Sequence, residues 1–268
     1  MRTILILLSL IMLLTACEDI IEIDLDYMKP KLVVEGLIND SDHQCIIKLS
    51  KTTDYFNQET NPTVSDAVIT LNDNAGTIVN LNETEPGVYS KETFQVKPNV
   101  NYTLHILSEG KEYAATATIP KKVNIDSLTC RYNPESFIYE VGYVVSCHFS
   151  DPESYRNWYR LKTFNVNDKT QAKNSKDIYN DDLNNGKRVE LPWSYNVYQE
   201  FDTVVVELYT LDGPTYDYYK TLFPISGGSD MMSMTTPANP NTNISNGALG
   251  YFGAYTISRD TIVISPSR

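Results

Sequence analysis

The sequence predicts an all-β protein, and three observations carry that expectation. Between Lys31 and Pro120, short runs of alternating apolar and polar residues recur at brief intervals, the period of half-buried strands. No segment in that span holds the spacing of an amphipathic helix. The aromatic content is dominated by 19 Tyr, against 8 Phe and 2 Trp. Tyrosine suits strands because it buries a ring while its hydroxyl stays solvated.

The chain opens with one cation, Arg2, followed by an apolar run from Ile4 to Leu14 that closes on Leu14, Thr15, Ala16 and Cys17. The run is far shorter than the ~20 residues of a membrane-spanning helix, and its small terminal residues read as a cleavage site, so residues 1–16 are expected to be an export signal. Leu14 to Cys17 also resembles the bacterial lipoprotein signal, in which the cysteine is acylated and the bond before it is cut. Thr15 and Ala16 suit a narrow peptidase site, and Cys17 supplies the nucleophilic sulfur. An ordinary signal with a chance cysteine is the alternative. The expected result is an exported protein held at the outer membrane by lipid on Cys17, on its periplasmic or surface-exposed face. Residues 17–30 then form an acidic tether and a first strand, with apolar and acidic residues alternating from Ile20 to Asp26. Glu18 and Asp19, directly after the lipid cysteine, resemble the surface-export signal of lipoproteins in some Gram-negative bacteria. A solvated tether would look the same.

Strand signals follow at Leu32 to Ile38, Cys45 to Leu49 and Ala67 to Leu71. The last ends in the turn cluster Asn72 to Gly76, whose residues tolerate left-handed backbone. Ile78 to Leu81 and Gly87 to Tyr89 are two more, separated by a Glu-Pro-Gly turn. Tyr102 to Leu107 and Tyr113 to Ile119 read as a hairpin with a four-residue loop, Ser108 to Lys111. About seven strands in residues 31–120 predict an immunoglobulin-like β-sandwich or a close relative. A span of this size can bury a core without metal or disulfide support, and Pro120 to Lys122 makes a boundary.

A second β-rich domain is expected over residues 121–268, with strands at Ile125 to Tyr132, Tyr139 to Phe149 and Trp158 to Phe164. Asn165 to Arg188 is polar and reads as a long loop or exposed insert. Phe201 to Thr210 is strand-like, and Asp212 to Leu222 reads as one short helix. Pro214 suits its first turn, Thr215 is placed to cap it, and Tyr216, Tyr219 and Leu222 share a face. An Asn/Pro loop over Pro237 to Asn246 precedes two closing strands, Leu249 to Ile257 and Thr261 to Ser265.

Charge narrows the function classes. The formal net charge is −12, from 34 Asp+Glu against 22 Lys+Arg, and such a surface repels phosphate backbones and anionic headgroups. Nucleic acid is therefore not an expected partner. No second apolar run approaches spanning length, so the body is expected to be soluble. Cys130 and Cys147 lie in neighbouring strand-like segments, where a disulfide and two small buried thiols are both open readings. His43, His105 and His148 are too scattered to suggest a metal centre. No nucleophile elbow, zinc-protease helix or phosphate loop occurs, so no catalytic residue, cofactor or metal is expected. Asp24 and Asp26 would share one face of a strand, a geometry calcium could use, although charge repulsion on an exposed strand is the commoner situation; Asp181 to Gly186 has residue types that suit calcium but lacks its spacing and distal Glu. Tyrosines around Tyr216 to Tyr219 and Tyr251 to Tyr255 could stack on sugar or peptide, with core and inter-sheet packing the favoured reading. Asp126 to Leu128, Asp202 to Val204 and Asp260 to Ile262 resemble an O-glycosylation sequon, and each also opens a strand.

Several segments together resemble one family of exported bacterial lipoproteins, domain-of-unknown-function family 4249. They are Cys17 with the acidic strand Ile23 to Asp26, Lys31 to Gly36, Ser50 to Phe56, Asp151 to Arg160, and Asn243 to Tyr255. The resemblance implies an accessory partner of a TonB-dependent outer-membrane receptor, and it brings no catalytic residues. The expected function is assistance to nutrient uptake. A stand-alone glycan- or peptide-binding lipoprotein, or an adhesive or structural surface protein, is the alternative. Because loops carry function on rigid β scaffolds, Asn239, Asn241, Asn243 and Asn246 are the candidate partner-contact residues; the alternative is that Asn243 and Asn246 pin the loop by bonding to its own backbone.

Overall fold

The computed structural model describes residues 29–41, 45–53, 62–134, 141–167, 178–192, 197–226 and 238–265. The leader, Cys17, the acidic strand with Asp24 and Asp26, His43 and Pro237 lie outside the described residues. Within them the chain is all-β with a single helix. The strands are β1 (Leu32–Asn39), β2 (Cys45–Lys51), β3 (Val68–Asp73), β4 (Ile78–Glu85), β5 (Val88–Lys91), β6 (Asn101–Ser108) and β7 (Lys111–Thr118). They continue as β8 (Ile125–Asn133), β9 (Gly142–Ser150), β10 (Trp158–Asn165), β11 (Ile178–Asn180), β12 (Arg188–Pro192) and β13 (Thr203–Leu211). Helix α1 (Gly213–Ser226) and β14 (Leu249–Val263) complete the fold.

Eleven strands hydrogen-bond in the order β11-β10-β13-β14-β1-β2-β5-β4-β3-β6-β7, and β12-β9-β8 form a separate sheet. The long strand β14 organises the whole. Its first half pairs parallel with β1, from Val33 opposite Leu249 to Asn39 opposite Tyr255. Its second half pairs antiparallel with β13, from Leu211 opposite Tyr255 to Thr203 opposite Val263. One strand therefore belongs to two cores. The first core gathers Val34, Ile38, Ile47, Leu71 and Leu104 with Phe252 and Ala254 of β14. The second gathers Val145, Phe149, Tyr159, Leu161 and Val206 with Ile264. Along the chain the change of core falls between Ile119 and Val123, yet the first core also takes Ile244, Ala248, Phe252 and Ala254 from the far end. Burying Phe252 there contributes on the order of 2–3 kcal/mol. Gly250 makes the approach possible. Its φ is +86°, and a Cβ would stand 1.9 Å from the carbonyl oxygen of Val34.

Several local expectations change. The β6–β7 loop is two residues, because Ser108 pairs with Lys111. Glu109 and Gly110 both take positive φ, 49° and 74°, the mirror-image turn that matches strand twist. The polar stretch from Asn165 to Arg188 holds β11 and leads into β12. The two closing strands are one continuous strand. Helix α1 is capped by Asp212, whose Oδ1 accepts the Thr215 N–H at 3.0 Å, so Thr215 lies inside the first turn. Cys130 and Cys147 are free thiols. Their register is offset, with Leu128 opposite Cys147 and Cys130 opposite Val145.

Candidate functional site

Strands β2, β1 and β14 turn one face to the first core and the other outward. The outward face carries Ile46 and Lys48 from β2, Glu35, Leu37 and Asn39 from β1, and Tyr251 and Tyr255 from β14. Helix α1 crosses beside this face. Between helix and sheet lies a groove of about 410 Å³, walled by Tyr218, Tyr219 and Leu222 of α1 and by the tyrosines of β14.

The helix is set there by three local features. Asp212 is buried and ties three elements together. Its Oδ1 caps α1, its Oδ2 accepts the Thr118 N–H at 3.2 Å, and its own N–H donates to Ala254 O at 2.9 Å. Burial pushes its carboxyl up to about 6, against the opposing pull of those N–H groups. Gly253 provides the second feature, since a Cβ there would stand 1.9 Å from Thr215 Oγ1. The absent side chain lets the first turn of α1 lie directly on β14. Third, tyrosine rings lock the contact. Tyr218 stacks on Tyr251 with centroids 4.0 Å apart, and the hydroxyls of Tyr219 and Tyr251 are 3.0 Å apart. Tyr219 also stacks on Phe223 at 5.0 Å, with the Arg160 guanidinium over its ring at 4.9 Å.

The groove is mixed in chemistry. Leu37, Ile46, Leu222 and ring faces make it apolar, while Asn39 donates to the Tyr255 hydroxyl at 3.3 Å. Glu35 and Lys48 stand opposite one another in register, without an ion pair between them. Burial and the neighbouring Tyr219 raise the Tyr251 phenol, and burial together with Glu35 raises that of Tyr218, so both remain neutral hydroxyls at physiological pH. The tyrosines divide between the core and the groove. Tyr216 and Phe252 pack inward, whereas Tyr218, Tyr219, Tyr251 and Tyr255 line the groove. Sequence reasoning missed Glu35, Asn39 and Lys48, because nothing in an alternating strand distinguishes the outward polar residues of one face.

The four candidate asparagines divide into two pairs. Asn243 is a structural pin: its Oδ1 accepts the Phe252 N–H at 3.0 Å, and its Nδ2 donates to Phe252 O at 2.7 Å and Thr116 O at 3.2 Å. Asn246 donates to Glu112 O at 3.2 Å, while Ser245 exchanges backbone and side-chain bonds with Ala114, so this segment closes over the β7 edge. Asn239 and Asn241 are exposed, and the Asn241 N–H donates to Thr221 Oγ1 of α1 at 2.8 Å. That bond fastens residues 238–242 to α1 at Thr221.

Asp181 directs Oδ2 to the Asn157 N–H at 2.7 Å, and Asp151 directs Oδ2 to the Gly186 N–H at 3.0 Å. Asn157 Nδ2 adds a bond to Tyr155 O at 3.0 Å, and Asp182 pairs with Arg156. These carboxylates knot the loop after β9 to the loop after β11. Among the described residues no group of three or more His, Cys, Asp or Glu converges on a common point. His105 is exposed on β6, and His148 is half-buried with Nε2 2.8 Å from Thr129 Oγ1.

Comparison with protein families matches residues 18–261 to the family described as domain of unknown function, DUF4249. The chain belongs to the DUF4249 family. The comparison with curated proteins gives no match. Among solved structures, a point mutant of Salmonella alpha-2-macroglobulin aligns with 93% of this chain and 16% of its own, at 10% identity and a TM-score of 0.23. The chain spans about one sixth of that protein's length, and the likeness carries no argument. In the DUF4249 fold, two of the segments behind the original resemblance are its polar fastenings, Asp151 to Arg160 and Asn243 to Tyr255. The second also forms the floor of the groove.

Proposed function

We propose that this DUF4249 protein is a lipid-tethered, non-enzymatic binding protein of the outer membrane that serves as accessory partner to a TonB-dependent receptor. One observation carries the binding half of this reading. A preformed groove combines aromatic walls with the exposed charged groups Glu35 and Lys48. Such a surface suits holding a ligand, since it offers stacking and hydrogen bonding but no nucleophile–base pair in contact. Support for the tether is the sequence from Arg2 to Cys17, and support for the receptor is the family resemblance. In this reading the groove faces cargo, and the exposed segment 238–242 fastened to α1 meets the receptor. An immunoglobulin-like first sandwich belongs to the same reading, supported by strand order β1-β2-β5-β4 beside β3-β6-β7.

The test is purification of the tagged mature protein from native membranes in mild detergent. A receptor should accompany the wild type. Asn239→Asp with Asn241→Asp should weaken that association while leaving the fold intact, because neither side chain pins another element. A double variant that retains the receptor in full would move the contact elsewhere.

A further inference from the structure

The groove's geometry restricts what it can hold, and three exclusions follow from the page. An extended peptide adding as a strand needs an open sheet edge. Strands β2, β1 and β14 are each paired on both sides, to β5 and β1, to β2 and β14, and to β1 and β13. No backbone ladder is on offer, so recognition must come from side chains. An acyl chain would fill the apolar walls but leave Glu35 and Lys48 desolvated without partners, which is unfavourable for charged groups. A polyanion would meet Glu35 at the groove within a protein of net charge −12.

A neutral saccharide meets every condition. Its C–H faces stack on tyrosine rings, and its hydroxyls both donate and accept. Glu35 offers acceptors, Lys48 offers donors, and the neutral phenol of Tyr218 can act in either sense, while the Tyr251 hydroxyl is shared with Tyr219. The charges of Glu35 and Lys48 balance, so an uncharged ligand pays no electrostatic penalty on entry. A volume of about 410 Å³ lies within the range of small-ligand sites and is far too small for a folded partner. We infer that the groove between α1 and the β2-β1-β14 face is a binding site for a short, neutral saccharide of one to a few rings. This deepens the proposed function, resting on its reading of the groove as the cargo face.

The test is isothermal calorimetry and saturation-transfer NMR on the mature full chain, with neutral gluco-, xylo-, manno- and galacto-oligosaccharides of two to four units as probes. At least one series should bind saturably at millimolar concentration or below. Tyr218→Ala and Glu35→Gln should each weaken that binding about tenfold or more, with the urea midpoint of Glu35→Gln close to wild type. Two further probes are uncharged tripeptides and a decyl-chain detergent below its micelle concentration. Absence of saturable binding by all four saccharide series would overturn the inference, as would binding unchanged by both variants or tighter binding of either further probe. Should Tyr218→Ala fail to fold, Glu35→Gln and Lys48→Met, both at exposed positions, carry the same test. Saccharide failure with the receptor still copurifying would reject the ligand class alone. Saccharide binding without a receptor would reject the partnership alone.

Discussion

Asp212 should make the docking of α1 depend on pH in a sense opposite to ordinary paired carboxylates. Its carboxyl is buried and raised from 3.8 to about 6. The folded protein therefore holds this proton more tightly than the unfolded chain, and between about pH 4 and 6 the native state binds more protons. Stability from this group is fully present in acid and declines as pH rises through that window. The displacement corresponds to about 3 kcal/mol, and near-complete burial leaves little solvent to screen it. Asp212→Asn removes the titration while keeping an oxygen to accept the Thr215 N–H. The new amide faces the Thr118 N–H, a cost that is constant with pH. Urea unfolding of both proteins at pH 4, 5, 6 and 7.5 isolates the effect. Exposed groups such as Asp73 and Glu83, whose carboxyls are lowered mainly by hydrogen bonds from Thr77 and Ser65, act alike in both proteins and cancel. The wild type should lose about 2.5 kcal/mol relative to the variant from pH 4 to pH 7.5, since the unfolded carboxyl is already partly ionised at pH 4. Two curves parallel to within about 0.5 kcal/mol would refute the reasoning, showing that Asp212 is ionised at ordinary pKa in the native state.

Other expectations follow from single contacts. Asn243→Ala removes both partners of the Phe252 backbone and should cost about 2–4 kcal/mol in urea unfolding, whereas Asn239→Ala should stay within about 0.5 kcal/mol. Gly253→Ala should destabilise by about 2 kcal/mol or more by driving a methyl group into Thr215, and Thr215→Ala should recover part of that loss in a double-mutant cycle. Cys17→Ala should leave the membrane fraction or accumulate unprocessed. A processed variant extractable only by detergent would demand another anchor.

The strands are legible because half-buried β structure writes its period of two directly into the chain, as in β1 and β6. What the sequence hid was long-range. Nothing local reveals that Leu249 to Tyr255 pairs with β1, more than two hundred residues away, and so supplies Phe252 to the first core. The same limit explains the asparagines. Asn in an Asn/Pro stretch reads as loop chemistry, and only tertiary placement separates the pin at Asn243 from exposed Asn239 and Asn241. Thr215 looked like a cap because it precedes the tyrosine run, but the carboxylate of Asp212 reaches the free N–H of the first turn. The groove was half visible, through its tyrosines. Its polar members, Glu35, Asn39 and Lys48, sit in ordinary strand alternation and gain meaning only when β1, β2 and β14 are laid side by side under α1.

The most direct test of the account is the composition of the complex that the tagged mature chain forms in membranes of its own cell, read by native mass spectrometry with and without added neutral oligosaccharide. The account predicts a lipidated chain bound to one TonB-dependent receptor, with saccharide mass retained by the wild type and lost from Tyr218→Ala. A lipidated chain that flies alone under every condition, or a complex whose saccharide survives that substitution, would contradict it.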